Sequence, residues 1–196
     1  MNYLAHLFLA GKDDGLIIGN FIADSVRGKE INLYNTEIQK GIKLHRQIDQ
    51  YTDSHPIVKQ TTSRLRNSAG KYAPVVTDIV YDHFLAANWS KYSSISLETF
   101  ANEKYNFLKM HVHDLPSKIH ELFYTMADQN WLVNYSDLKG IARTLFELSG
   151  KVKFANTMAS SIIDLEKDYK LYESDFFSFF PDIQNFVREE IASNLI

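Results

Sequence analysis

The chain has 196 residues, with 21 Lys and Arg against 24 Asp and Glu, a formal net charge of −3 and a hydrophobic fraction of 45%. That length fits one domain able to bury a sizeable core, and the composition is ordinary for a globular protein. There is no cysteine, which excludes disulfides, thiolate metal sites and cysteine nucleophiles. No run of eighteen apolar residues suggests a membrane span, and no basic stretch precedes an apolar run at the N-terminus, so the expected location is the cytoplasm.

Apolar residues recur at spacings of three and four along the chain, which predicts successive helices. Leu4, Leu7 and Phe8 form one stripe on a short first helix that ends near Gly11 and the Asp13-Asp14-Gly15 turn. Leu16 to Val26 predicts a second helix, with Gly28 as its left-handed cap. A third is expected from about Thr36 to Tyr51, with Ile38, Ile42, Leu44 and Ile48 inward. Pro56, Pro74 and Pro116 each sit where a new helix opens, because the first turn needs no donor from that nitrogen. Ser96 and Ser136 are expected N-caps. Residues 155–172 and 176–195 complete the pattern, the latter interrupted by Pro181. Convincing strands, repeats and linkers are absent. The expected fold is an all-α, single-domain bundle over residues 1–196, with roughly seven to ten helices.

Polar residues stand out against these faces. His45 and Asp49 are four apart on the third helix, hence on one face, and Asp53 extends that face. Asn20 with Asp24, and Asp78 with Asp82, repeat the spacing; His83 adjoins Asp82, and His6 lies among leucines and alanines. Imidazole and carboxylate groups together suit a divalent ion such as Mn²⁺, Mg²⁺, Fe²⁺ or Zn²⁺, held between neighbouring helices. Taken singly, His6 on an apolar stripe is more often a core histidine than a ligand, and His45 with Asp49 fits a surface hydrogen-bonded pair better than a site. His111, His113 and His120 read as structural or exposed, because they flank the break at Pro116. Residues 40–72 carry seven basic and two acidic side chains, a local balance of +5. Such a block could capture an anionic substrate or an acidic protein, or form a solvated face. The acidic chain has no motif for nucleic acid, so none is expected as a partner.

Four blocks resemble the acyl carrier protein phosphodiesterase family. They are Met1-Asn2-Tyr3-Leu4-Ala5-His6-Leu7, Gly19-Asn20-Phe21-Ile22-Ala23-Asp24-Ser25-Val26-Arg27-Gly28, the stretch Gly41-Ile42-Lys43-Leu44-His45-Arg46-Gln47-Ile48-Asp49 continued by Tyr51 to Pro56, and Asp82-His83-Phe84-Leu85-Ala86 followed by Trp89. They cover roughly residues 1–90 and come in order; a later Gln129-Asn130-Trp131-Leu132 is compatible. The family is treated as an aberrant branch of the HD-domain phosphohydrolases, so the resemblance implies an HD-domain-like helical bundle. It also implies hydrolysis of the phosphodiester linking 4′-phosphopantetheine to a serine of holo-acyl carrier protein, with Mn²⁺ as the favoured ion and the carrier protein as partner. One departure is plain: His45 is followed by Arg46, and the adjacent pair at 82–83 runs Asp-His rather than His-Asp. Within that frame the expected metal ligands are Asp24, His45, Asp82 and His83, with His6 beside them. Asp49 and Arg46 are the expected catalytic residues, Arg46 offering a planar fork to a phosphate oxygen. Arg27, Lys43, Lys59 and Arg64 are expected to bind substrate from the rim. Two other readings stay open: a phosphohydrolase acting on a nucleotide or small phosphoester, and a non-catalytic helical interaction protein.

Overall fold

The computed structural model describes residues 1–154 and 156–193. Among these, eleven α-helices carry the chain and no strand occurs: α1 (Tyr3–Leu9), α2 (Asp14–Ile22), α3 (Thr36–Ser54), α4 (Pro56–Ala69), α5 (Ala73–Ala87), α6 (Leu97–Met110), α7 (His120–Asp128), α8 (Trp131–Asn134), α9 (Leu138–Lys151), α10 (Ser161–Lys167) and α11 (Tyr169–Ala192). The all-α expectation holds, with more helices than the seven to ten expected. One extra break is at Asn130, whose φ of +51° is left-handed and separates α7 from the four-residue α8. Asparagine tolerates that conformation better than most side chains.

Local signals set most boundaries. Asp13, Asn35 and Ser96 accept hydrogen bonds from the N–H groups of Leu16, Ile38 and Thr99, capping α2, α3 and α6. Pro56 opens α4. Other details depart from expectation. Asp137 rather than Ser136 caps α9; the Ser136 hydroxyl instead donates to the Val133 carbonyl. The second helix stops at Ile22 and passes through a 3-10 turn (Ala23–Ser25) to extended Val26, so Gly28 opens the next 3-10 segment instead of capping α2. Pro116 precedes a 3-10 turn, and α7 begins only at His120. Pro181 does not break the last helix. It lacks one backbone donor, but fully buried Phe176, Phe179, Phe180 and Ile183 keep α11 continuous from Tyr169 to Ala192. Of the two final predicted helices, Ala155, Asn194 and Leu195 lie outside the described residues.

All the long helices pack around one continuous apolar cluster. Its tightest seam joins α2 to α3, the pair in most extensive contact. A Cβ at Gly19 would lie 2.5 Å from Gly41 Cα, and one at Gly41 2.8 Å from Gly19 Cα. These glycines let two backbones almost touch, which brings Asn20 and the turn bearing Asp24 against the face of α3 that carries His45 and Asp49.

Candidate metal centre

Three helices deliver the centre. The α1 residue His6 and the α3 residue His45 stack with ring centroids 3.9 Å apart and planes 19° apart. The Asp49 carboxylate spans both rings: Oδ1 lies 3.1 Å from His6 Nε2, and Oδ2 lies 3.1 Å from His45 Nε2. The Asp24 carboxylate reaches His45 Nε2 at 3.2 Å from the turn after α2. One ligand atom from each of His6, His45 and Asp49 falls within 4.8 Å of the others. Together with Asn20, Asp24, Tyr3 and Phe21, the two histidines line a cleft of about 20 Å³, room for a single water-sized species.

Asn20 decides how His6 presents itself. Its amide NH₂ donates to the Leu16 carbonyl at 3.0 Å, so its Oδ1 is the atom that faces His6 Nδ1 at 3.2 Å. That oxygen can only accept, so Nδ1 carries the hydrogen. Burial, together with the neighbouring His45 charge, lowers the His6 pKa to about 4 and keeps the ring neutral. Its bare Nε2 lone pair then points at a carboxylate oxygen 3.1 Å away. Two acceptors at that distance repel unless a cation lies between them. An outer acceptor that fixes the tautomer of a ligating histidine supports a metal site, and Asn20 Oδ1 fills that place, so the residues present fit a divalent ion.

The charges are arranged to match. Burial opposes a charge on His45, but its hydrogen bonds with Asp24 and Asp49 outweigh this and raise its pKa to about 9. Burial likewise opposes ionisation of Asp49, yet its bond to the charged His45 takes it well below the usual carboxylate range. Asp24 is lowered chiefly by its His45 bond. The Met1 ammonium lies 2.9 Å from Asp78 and 3.7 Å from Asp49. His45 Nδ1 is buried without a hydrogen-bond partner among the described residues.

Several expected site residues lie elsewhere. Asp82 is fully buried, and its two oxygens accept the backbone N–H groups of Leu4 (2.8 Å), Asn2 (3.2 Å) and Ala5 (3.3 Å). It caps the start of α1 and has no face turned to the cleft. His83 points away from the cleft, toward the Tyr135 carbonyl (2.8 Å) and the Tyr169 hydroxyl (3.0 Å). Adjacent residues on a helix diverge by about 100°, and here the two side chains turn to different partners. Arg46 donates to the Val26 carbonyl at 2.9 Å, bracing the Asp24 turn on α3 rather than reaching into the cleft. Arg64 is paired with Asp175 in the seam between α4 and α11. Lys59 and Arg66 line a separate cavity of about 470 Å³ that includes Asp53. Arg27 and Lys43 are exposed near the cleft in sequence, three residues beyond Asp24 and two before His45. The expected basic rim is therefore dispersed. Asn20 was absent from the expected site, although its four-residue spacing from Asp24 was a visible signal. His111, His113 and Asp114 also cluster, but within one short turn where Asp114 bonds both rings at 3.2–3.3 Å.

Comparison with known proteins agrees with the four sequence blocks. The family described as acyl carrier protein phosphodiesterase matches residues 1–183. An acyl carrier protein phosphodiesterase of Photorhabdus laumondii is 36% identical over 182 residues, covering 92% of each chain. Proteins of that name from Serratia proteamaculans and Pectobacterium atrosepticum are each 31% identical over 191 residues, covering 97% of this chain and 99% of theirs. No solved structure matches the chain, so the likeness to HD-domain proteins rests on the sequence.

Proposed function

The chain belongs to the acyl carrier protein phosphodiesterase family, and we propose that it hydrolyses the phosphodiester joining 4′-phosphopantetheine to a serine of holo-acyl carrier protein. Water adds to phosphorus and the bond to the serine oxygen breaks. The hydroxyl stays on the phosphate of the released 4′-phosphopantetheine, and the remaining proton ends on the serine, giving the apo-protein. The names of the relatives support the substrate. The observation that carries the chemistry is His6, with Nδ1 against Asn20 and Nε2 3.1 Å from Asp49, stacked on His45.

His6, His45 and Asp49 would hold a divalent ion, with Asp24 as the next oxygen donor. When bound, such an ion offsets the phosphodiester charge and lowers the pKa of water. Two imidazoles with carboxylates suit Mn²⁺, Fe²⁺ or Zn²⁺ better than Mg²⁺, and Mn²⁺ is the first to test. Asn20 keeps His6 in the ligating tautomer, and Arg46 holds the Asp24 turn in place. A cytoplasmic setting, where a carrier protein would be met, is part of this proposal; among the described residues no helix is long and apolar enough to cross a membrane.

The test is direct: chelator-treated protein is incubated with holo-carrier protein, with and without Mn²⁺, and the product is weighed by mass spectrometry. Loss of the phosphopantetheine mass only with ion is expected, and Asp49→Ala or His45→Ala should lower the rate at least about 100-fold. An intact holo-protein beside a hydrolysed nucleotide would overturn the substrate. Equal hydrolysis after exhaustive chelation would overturn the metal.

A further inference from the structure

A second cleft, of about 290 Å³, shares two of its walls with the candidate metal centre: Asn2 and Tyr3 line both. It runs between α1, α5, α7, α8 and α9, and its other walls include Trp131, Tyr135 and Leu148, with Lys151 among its polar lining. The volume is near the lower end of the roughly 300–1,000 Å³ of pockets that take small organic ligands. Trp131 belongs to the Gln129-Asn130-Trp131-Leu132 block, which the metal centre does not use. The left-handed Asn130 turns the chain just before it, and the Leu132 N–H donates to the Tyr105 hydroxyl at 2.9 Å, fixing α8 in place.

We propose that this cleft holds the pantetheine arm of the substrate, an inference that rests on the function proposed above. The metal centre has room for only about 20 Å³, so both organic substituents of the phosphodiester must lie outside it. One is a folded protein, which cannot enter a cleft between helices. The other is a slender neutral chain of methylenes, a branched dimethyl carbon and two amides, ending in a thiol. Aromatic and aliphatic walls suit its carbon skeleton, while polar groups suit its amides. Asn2 stands at the junction of the two clefts: its Oδ1 accepts from the Tyr3 N–H at 2.9 Å, and its NH₂ donates to no other described residue. Tyr3 is the shared wall. Its phenol, neutral at pH 7, can donate a hydrogen bond to an amide carbonyl. The arm passes over Tyr3, against Trp131 and toward Lys151.

Trp131 supplies the readout. The chain has two tryptophans, and Trp89 is in the core against Phe8 and Phe100, away from the cleft. Emission excited at the tryptophan edge should shift saturably when free pantetheine, which has no phosphate to bind an ion, is added to the full-length protein. The shift should survive in His45→Ala, vanish in Trp131→Phe, and need about tenfold more pantetheine in Leu148→Tyr, whose larger side chain fills the cleft. With holo-carrier protein, Leu148→Tyr should raise KM about tenfold with kcat little changed, and its thermal midpoint should confirm that it folds. Absence of a saturable shift, or equal pantetheine affinity in wild type and folded Leu148→Tyr, overturns the assignment. Failure of the underlying function looks different: the wild-type protein would leave holo-carrier protein intact, whatever pantetheine does to Trp131.

Discussion

Two imidazoles stacked 3.9 Å apart cannot both hold a charge cheaply, and in the ion-free protein the proton belongs to His45. Its pKa of about 9, raised above the unfolded value by Asp24 and Asp49, means that this proton helps stability fully below about pH 6.5. That contribution is lost as pH rises from there through 9. A divalent ion needs the lone pair that the proton occupies, so binding must expel it. At pH 7 each ion should release about one proton, and affinity should rise about tenfold per pH unit until the His45 titration is complete near 9. Calorimetry of Mn²⁺ binding in two buffers of different ionisation enthalpy measures that proton directly. No release at pH 7 would mean that His45 is not a ligand. The residue scale also explains which side chains could be read in advance. His45 and Asp49 were legible because four residues return a helix to the same face. The hydrogen bonds of Asp82 were not legible, because its partners are N–H groups more than seventy positions away, which no local spacing reveals.

At the scale of elements, the centre depends on how closely α2 approaches α3. A methyl at Gly19 would meet Gly41 Cα at 2.5 Å and the Ile42 nitrogen at 2.6 Å, and backbone cannot step aside. Gly19→Ala should therefore force the helices apart, costing about 1–3 kcal/mol as overpacking does. It should also weaken Mn²⁺ binding, because Asn20 and the Asp24 turn move off His6 and His45. Gly150→Ala, where nothing lies within 4 Å, is the control and should be neutral or slightly stabilising on α9. Urea unfolding and an ion titration on both variants check this; unchanged stability and affinity in Gly19→Ala would show that the seam does not position the site. Sequence periodicity located the helices well, since each long one has an apolar stripe to bury. It missed the continuity of α11 because Pro181 is a local breaker, and only the packing of four buried neighbours outweighs it.

Over the whole molecule, the basic stretch of residues 40–72 does not act as a unit. A linear charge count cannot see that Lys40 pairs with Glu37 at 3.4 Å, that Arg64 is held by Asp175, or that Lys71 lies 3.6 Å over the Phe154 ring. Helix geometry sends these side chains to different faces: exposed Lys59 and Arg66 line the separate cavity with Asp53, and the exposed Arg27 and Lys43, within three residues of Asp24 and His45, are the pair to test against an acidic carrier protein. Charges of this kind steer encounter more than they change chemistry. Reversing both, with Arg27→Glu and Lys43→Glu, should raise KM for holo-carrier protein about tenfold and flatten its dependence on salt, leaving kcat and the thermal midpoint nearly unchanged. Arg64→Glu should do the opposite. It puts two carboxylates together in the α4–α11 seam, where Asp175 also accepts from the Thr61 hydroxyl at 2.7 Å, and should cost about 1–3 kcal/mol of stability. Its KM per folded molecule should stay at the wild-type value, because the pair it breaks belongs to the core seam and not to the docking face. Steady-state kinetics at low and high salt, read beside thermal unfolding of the same samples, separate the two. A raised KM in Arg64→Glu with none in the double reversal would move the docking face from the α2–α3 end of the molecule to α4.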